Sequence, residues 1–298
     1  MMSEKKTILI TGATGLIGRP LCEKLKASGH QIRTLSRGKS GDFQWDPAAG
    51  ELPPEAVAGV DAVIHLAGES VAQRWSAEVK RRILESRVQS TELLARRILE
   101  TERRPAFISA SGINFYGYDR GSAVDESSPG GEGFLAEVCR EWEAAGQPLE
   151  ESGSRCVSLR TGVVLSGEGG ALAKMLPPFK AGLGGRIGDG KQAMSWIALE
   201  DLVRIYVACV EDADMSGPIN AVAPKPVSNR EFAGTLGKVI GRPTFIPTPV
   251  LAIRALFGEM GKETVLSNLA VKPAKLEKQN FEWTYPDLES ALSHSLNQ

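Results

Sequence analysis

The chain has 298 residues, 42% hydrophobic and 24% charged, with 35 Lys+Arg against 36 Asp+Glu and a formal net charge of -1. These are the proportions of an ordinary soluble globular protein, and they exclude fibrous repeats and long disorder. The near-neutral balance gives no electrostatic reason for a nucleic-acid or anionic-membrane partner, and no apolar stretch is long enough to span a bilayer. The four cysteines (Cys22, Cys139, Cys156, Cys209) form no C-x-x-C pair and the histidines are only His30, His65 and His294. Neither a disulfide scaffold, a metal site nor a Ser-His-Asp triad is expected.

The sequence opens Met1-Met2-Ser3-Glu4-Lys5-Lys6 and passes at once into an apolar strand over residues 7–10. That leaves no room for a signal peptide, so the expected location is cytoplasmic. Periodicity then predicts a helix over 19–28 ending near Gly29, a strand over 31–35, a strand over 61–67 and a long helix over 76–102. Strands follow over 106–111 and 155–165, with a helix over 134–145 between them. The second half predicts a helix over 172–183, a Gly-dense loop over 184–190, a helix over 199–211 opening on Glu200-Asp201, an apolar helical stretch over 247–257 and a final short helix. Strand–helix alternation with unbroken apolar strands implies an α/β fold: a doubly wound, Rossmann-like parallel sheet with a smaller C-terminal α/β substrate lobe. The division falls at residues 1–165 and 166–298. It is soft, because later segments of such folds can return to the sheet.

After the first strand comes Thr11-Gly12-Ala13-Thr14-Gly15-Leu16-Ile17-Gly18, a T-G-x-x-G-x-x-G pattern between strand and helix. Gly12 permits a tight turn, Gly15 lets backbone approach a pyrophosphate, and Gly18 lets the helix pack closely on the strand. The helix N-terminus adds unpaired N–H groups and partial positive charge. The next strand ends Leu35-Ser36-Arg37-Gly38-Lys39, where an NAD-selective site usually places Asp or Glu. A hydroxyl and two cations suit a ribose 2′-phosphate, so NADP is favoured over NAD. Leu66-Ala67-Gly68 closes the following strand and lines the ribose side, and Arg87 on the long helix can turn inward toward cofactor.

Together these residues resemble the extended short-chain dehydrogenase/reductases. Further matching pieces are Ser109-Ala110-Ser111 before Tyr116-Gly117, Leu159-Arg160-Thr161-Gly162, and Trp196-Ile197 before Glu200-Asp201. A narrower resemblance, carried by Ser127-Ser128-Pro129-Gly130-Gly131, Trp142-Glu143-Ala144-Ala145, Gly184-Gly185-Arg186-Ile187-Gly188-Asp189-Gly190 and Gly241-Arg242-Pro243, is to the atypical NAD(P)-dependent "epimerase family" subgroup. The resemblance implies NADP binding, a small C-terminal domain of unknown role, and cofactor contacts from Thr14, Gly15, Leu16, Ile17, Ser36, Arg37, Leu66, Ala67, Arg87 and Val164. Where that subgroup carries His after Trp-Ile, this chain has Ala198.

The superfamily's acid–base pair is Tyr-x-x-x-Lys on a helix, where the Lys cation lowers the tyrosine pKa from about 10 toward working pH. No such pair exists here: Arg120, Ser122, Val210 and Glu289 follow the four tyrosines at that spacing, and the expected helix carries Phe134 and Val138 instead. The substitute proton carriers to consider are Ser111 and Tyr116, with Glu137 and Arg140 on the replacing helix. Glu69, Trp75, Met194 and Trp196 are candidate pocket walls. The sequence thus points to an NADP-dependent oxidoreductase or epimerase with an unusual acid, acting on a small polar carbonyl or sugar-like molecule. The alternative is a non-catalytic NADP-binding redox sensor. A homodimer is left open.

Overall fold

Three residues of the first strand show how the layers arise. Ile8 and Ile10 face one side of the sheet and Leu9 the other, all without exposed surface, as the two-residue period of a strand requires. The computed structural model describes residues 4–297; Met1, Met2 and Ser3, on which the reading of the N-terminus partly rests, lie outside the described residues.

The first half runs β1 (Thr7–Thr11), α1 (Gly18–Ala27), β2 (Gln31–Ser36), β3 (Phe43–Gln44), α2 (Pro54–Val57), β4 (Ala62–His65), α3 (Ala77–Leu99), β5 (Ala106–Gly112), a 3₁₀ turn (Ile113–Tyr116), α4 (Phe134–Ala145), α5 (Gln147–Glu151) and β6 (Cys156–Thr161). The second half runs β7 (Val163–Leu165), α6 (Gly170–Lys180), β8 (Ala193–Met194), β9 (Trp196–Ala198), α7 (Leu199–Glu211), β10 (Gly217–Ala221), β11 (Val227–Ser228), α8 (Asn229–Val239), α9 (Val250–Glu263), α10 (Ala274–Lys278) and α11 (Leu288–Leu296).

Seven strands form one parallel sheet in the order β10-β6-β5-β4-β1-β2-β3. One face is covered by α1 and α7, whose Leu21, Leu25, Leu202 and Ile205 pack on Ile8, Ile10, Ile64 and Ile108. The opposite face packs Leu93, Leu94 and Ile98 of α3 with Leu149 of α5 against Leu9, Val63 and Phe107. A separate core of Leu172, Phe179, Trp196, Phe232, Leu236 and Leu292 builds the second lobe from α6, α8 and α11. Strand β10 comes from that later half yet pairs with β6 at the sheet edge.

The predicted strand over 155–165 is in fact two. At Gly162 a Cβ would lie 2.8 Å from the Ser195 carbonyl oxygen and 2.9 Å from Val222 Cγ1. The chain leaves the sheet there, and β7 pairs with β9 instead. The helix expected over 247–257 continues to Glu263 across a kink at Gly258. Helices α2, α5, α8 and α10 and strands β3, β8, β9 and β11 were not foreseen. The C-terminal segment is latched to α7 by Asp201, which has no exposed surface and accepts hydrogen bonds from Thr284 N (2.7 Å), Tyr285 N (2.9 Å) and Arg204 (3.0 Å).

Candidate functional site

The crevice opens where β1 and β4 end side by side. Gly12 holds φ +71°, a left-handed turn that favours glycine. A Cβ at Gly18 would stand 2.2 Å from the Gly12 carbonyl oxygen. The close approach is therefore between helix and loop rather than helix and strand as expected. Gly15 N donates to Gly12 O (3.0 Å) and Arg19 N to Gly15 O (3.1 Å), while the N–H groups of Thr14, Leu16, Ile17 and Gly18 have no acceptor among the described residues. Those donors at the head of α1 suit an anion. Leu16 reaches across to the second lobe, since a Cβ at Gly169 would lie 3.3 Å from it. Ile17, and Val164 on β7, are half-buried at the same junction.

Thr11 ties the two strand ends together. Its hydroxyl accepts from Leu66 N and Ala67 N (both 3.1 Å) and lies 2.7 Å from His65 Nδ1. The Thr11 proton therefore goes to Nδ1, and His65 Nε2–H faces Ser90 Oγ at 3.0 Å, whose own proton goes to Ser86 O (2.7 Å). Burial pushes the His65 pKa down to about 3, with Arg87 adding to the effect, so the ring is neutral. Gly68 follows with the Arg87 guanidinium against it: a Cβ there would sit 3.1 Å from Arg87 Cζ. Arg87 donates to Ile83 O (2.9 Å) and stacks 4.9 Å from the Trp142 ring centroid.

At the end of β2, Ser36 Oγ accepts from Gly38 N (3.2 Å) and lies 3.3 Å from Ser40 Oγ. Arg37 is exposed, and its guanidinium makes no hydrogen bond or ion pair among the described residues. The nearby Asp42 carboxylate is taken by Thr34 N and Thr34 Oγ1, both at 2.8 Å. The turn thus presents a hydroxyl and an unpaired cation, a donor set matched to phosphate.

The structure brings Ser111 and Tyr116 into one buried network rather than setting both at the crevice. Ser111 Oγ donates to Glu143 Oε1 (2.7 Å). Arg160 grips the same carboxylate through Nε (2.9 Å) and Nη2 (2.7 Å), and its Nη1 donates to Tyr116 Oη (3.0 Å). Tyr116 Oη in turn donates to Asn220 Oδ1 (2.8 Å). Tyr116 is 0% exposed and offers no surface to a substrate. Burial, only partly offset by Arg160, raises its pKa, the opposite of what a tyrosine acid needs. Ser111 lies at the end of β5, next to Arg160 in register.

The helix that replaces the Tyr/Lys helix is anchored from far along the chain. Glu263 of α9 accepts from Phe134 N (2.9 Å) and Leu135 N (2.8 Å), capping α4. Phe134 stacks edge-on against Trp75 at 5.0 Å, and Lys80 lies over its ring at 4.9 Å while pairing with Glu259 at 2.6 Å. Glu137 and Arg140 are both exposed, and Arg140 donates to Gly131 O (2.7 Å) instead of pairing with Glu137. Trp196, 1% exposed, belongs to the second-lobe core, whereas Trp75 and Met194 are half-buried. Sequence reasoning assigned no role to Glu143, Arg160, Asn220 or Glu263. The available signal was Arg160, the one charge inside strand β6, which requires a partner when buried. No group of three or more His, Cys, Asp or Glu that could hold a metal ion occurs among the described residues, and no helix among them is long and apolar enough to cross a membrane.

Comparison with known proteins places the chain in a family. Residues 8–222 match the NAD dependent epimerase/dehydratase family, and residues 248–295 match a domain of unknown function, DUF1731. An epimerase family protein of Mycobacterium bovis is 39% identical over 292 residues, 97% of each chain. The crystal structure of the human epimerase family protein SDR39U1 (isoform 2) with NADPH superposes with a TM-score of 0.90 at 36% identity, covering 98% of this chain and 99% of that one. UDP-N-acetylglucosamine 4-epimerase from Bacillus cereus shares the fold at a TM-score of 0.74 and 17% identity, covering 98% of this chain and 99% of that one.

Proposed function

The chain belongs to the NAD dependent epimerase/dehydratase family, and on that premise we propose that it is an NADP(H)-binding oxidoreductase or epimerase acting on a small polar carbonyl or sugar-like substrate without a Tyr-x-x-x-Lys pair. The observation that carries the proposal is the pairing of two features: N–H groups at Leu16, Ile17 and Gly18 that have no acceptor among the described residues, and, one strand away, the Ser36-Arg37 strand end, whose neighbouring Asp42 carboxylate is taken by Thr34. The NADPH in the human relative supports the phosphorylated cofactor. The contacts we assign are the Gly12, Thr14, Gly15, Leu16, Ile17 and Gly18 loop for the pyrophosphate, Ser36 and Arg37 for the 2′-phosphate, and Leu66, Ala67, Gly68, Arg87 and Val164 for the remaining length. Residues 1–165 then form the binding domain, completed by β10.

A bound dinucleotide of this kind supplies hydride transfer. What the chain adds is orientation. Glu143 holds the Ser111 proton, which leaves the Ser111 lone pairs to accept a hydrogen bond from a substrate hydroxyl. Arg160 holds Glu143 in place through two hydrogen bonds, and Tyr116 with Asn220 holds Arg160 in turn. In this scheme Tyr116 acts through the network rather than on substrate. A second reading, an NADP(H)-responsive sensor with no turnover, is favoured by the same fact that both candidate hydroxyls are already engaged.

Following NADPH absorbance against a panel of carbonyl and sugar-nucleotide substrates separates the two. Steady turnover that Ser111→Ala abolishes supports the enzyme, and Tyr116→Phe should lower the melting temperature more than the rate. Turnover indifferent to Ser111→Ala would overturn the role given to that residue. Tight binding with no turnover on any member would favour the sensor.

A further inference from the structure

Arg87, one of the contacts assigned to the dinucleotide, carries a charge that no ion pair neutralises among the described residues. Arg87 projects from α3 beneath Gly68, the residue that continues from β4, and its other side rests on Trp142 of α4. The guanidinium is thus held between backbone and an aromatic face, and Nη1 is fixed by Ile83 O at 2.9 Å. It forms no ion pair among the described residues. Glu143, on the same helix as Trp142, is committed to Arg160 (2.7 Å), and Lys80 is committed to Glu259 (2.6 Å). Glu69 is the carboxylate that acts on Arg87 electrostatically, but its Oε1 is held by Gln73 Nε2 at 3.0 Å and it makes no ion pair with the guanidinium. Burial disfavours the Arg87 cation, as expected for a charge with no close counter-ion.

The fold decides which part of a dinucleotide meets this charge. A dinucleotide crosses such a sheet at the β1–β4 switch point, with its adenosine half over β2, where Ser36 and Arg37 stand. The other half passes over β4 and β5, the side on which Gly68, Arg87 and Trp142 lie; Trp142 packs there against His65 of β4. The nicotinamide ring is a cation when oxidised and neutral when reduced.

From this juxtaposition we propose that Arg87 makes the crevice select the reduced dinucleotide, NADPH, over NADP+. The proposal rests on the dinucleotide reading above and adds the redox preference. An unneutralised like charge beside the ring in a half-buried site separates the two forms by about tenfold in Kd. The phosphates, ribose and adenine are common to both forms and cancel in the ratio. Such a preference lets one site report the NADPH to NADP+ ratio whether or not a substrate is turned over.

The test is calorimetric titration of the purified chain with NADPH and with NADP+, repeated for Arg87→Gln and Arg87→Lys. Wild type should bind NADPH about tenfold more tightly, Arg87→Lys should keep that preference, and Arg87→Gln should bring the two Kd values within about twofold of each other. Equal Kd values in wild type would overturn the proposal, as would a ratio that survives in Arg87→Gln. Equal weakening of both forms by Arg87→Gln would mark a phosphate contact and overturn it too. If neither form binds wild type, the dinucleotide reading itself falls.

Discussion

Gly18 and Arg37 bear the most specific demands in the crevice. A methyl group at Gly18 meets the Gly12 carbonyl oxygen at 2.2 Å, a backbone atom that cannot move aside without opening the loop. Gly18→Ala should cost about 1–3 kcal/mol in chemical denaturation and weaken NADPH binding together with stability. Arg37→Ala touches no contact that holds the fold, since its guanidinium has none among the described residues. It should leave the melting temperature unchanged, weaken NADPH about tenfold or more, and leave NADH within about twofold in parallel titrations. Equal weakening of both cofactors would remove the 2′-phosphate assignment. The close packing at Gly18 was legible from sequence because glycine spacing is a local signal, and the role proposed for Arg37 rests on another local signal, a missing acid. The Glu143–Arg160 pair was not, because it joins a helix to a strand 17 residues later and only the fold shows that they meet.

At the scale of elements, α4 depends on a residue 129 positions away. Glu263 accepts two N–H bonds at its start, where a carboxylate also meets the positive end of the helix dipole. Its side chain is nearly fully buried, so Glu263→Ala leaves both donors unpaired and should lower stability by about 2 kcal/mol. Hydrogen exchange should report the loss first at Phe134 and Leu135; unchanged protection there would contradict the capping role. Helix α4 itself was legible over its whole length from its apolar spacing, but its cap was not. Helix α8 could have been found, because Ser228 and Glu231 form an S-x-x-E start in which Ser228 Oγ accepts from Glu231 N at 3.1 Å. The break at Gly162 was hidden because β-branched residues flank it, Thr161 before and Val163 and Val164 after, and only the fold shows that β7 pairs with β9 and that the space at Gly162 admits no side chain.

For the molecule as a whole, acid stability turns on His65. Its folded pKa of about 3 lies below its ordinary value of 6.5, so above pH 6.5 the ring is neutral in both states. As the pH falls below 6.5 the unfolded chain takes up a proton that the folded chain refuses. Stability is therefore lost between about pH 6.5 and pH 3, by up to about 1.4 kcal/mol per pH unit. Denaturation midpoints from pH 7.5 to 4.5 should show this slope, and His65→Gln should flatten it; a wild-type profile flat across that range would contradict the buried neutral ring. The alternation of strands and helices was legible at this scale because each βα unit repeats it. The return of β10 to the sheet edge was open in the sequence and is decided by pairing with β6. The central proposal is a dinucleotide site at the ends of β1 and β4. Calorimetric titration of the purified wild-type chain with NADPH tests it most directly: a saturable heat corresponding to one site per chain is predicted, and the absence of any binding heat would contradict the account.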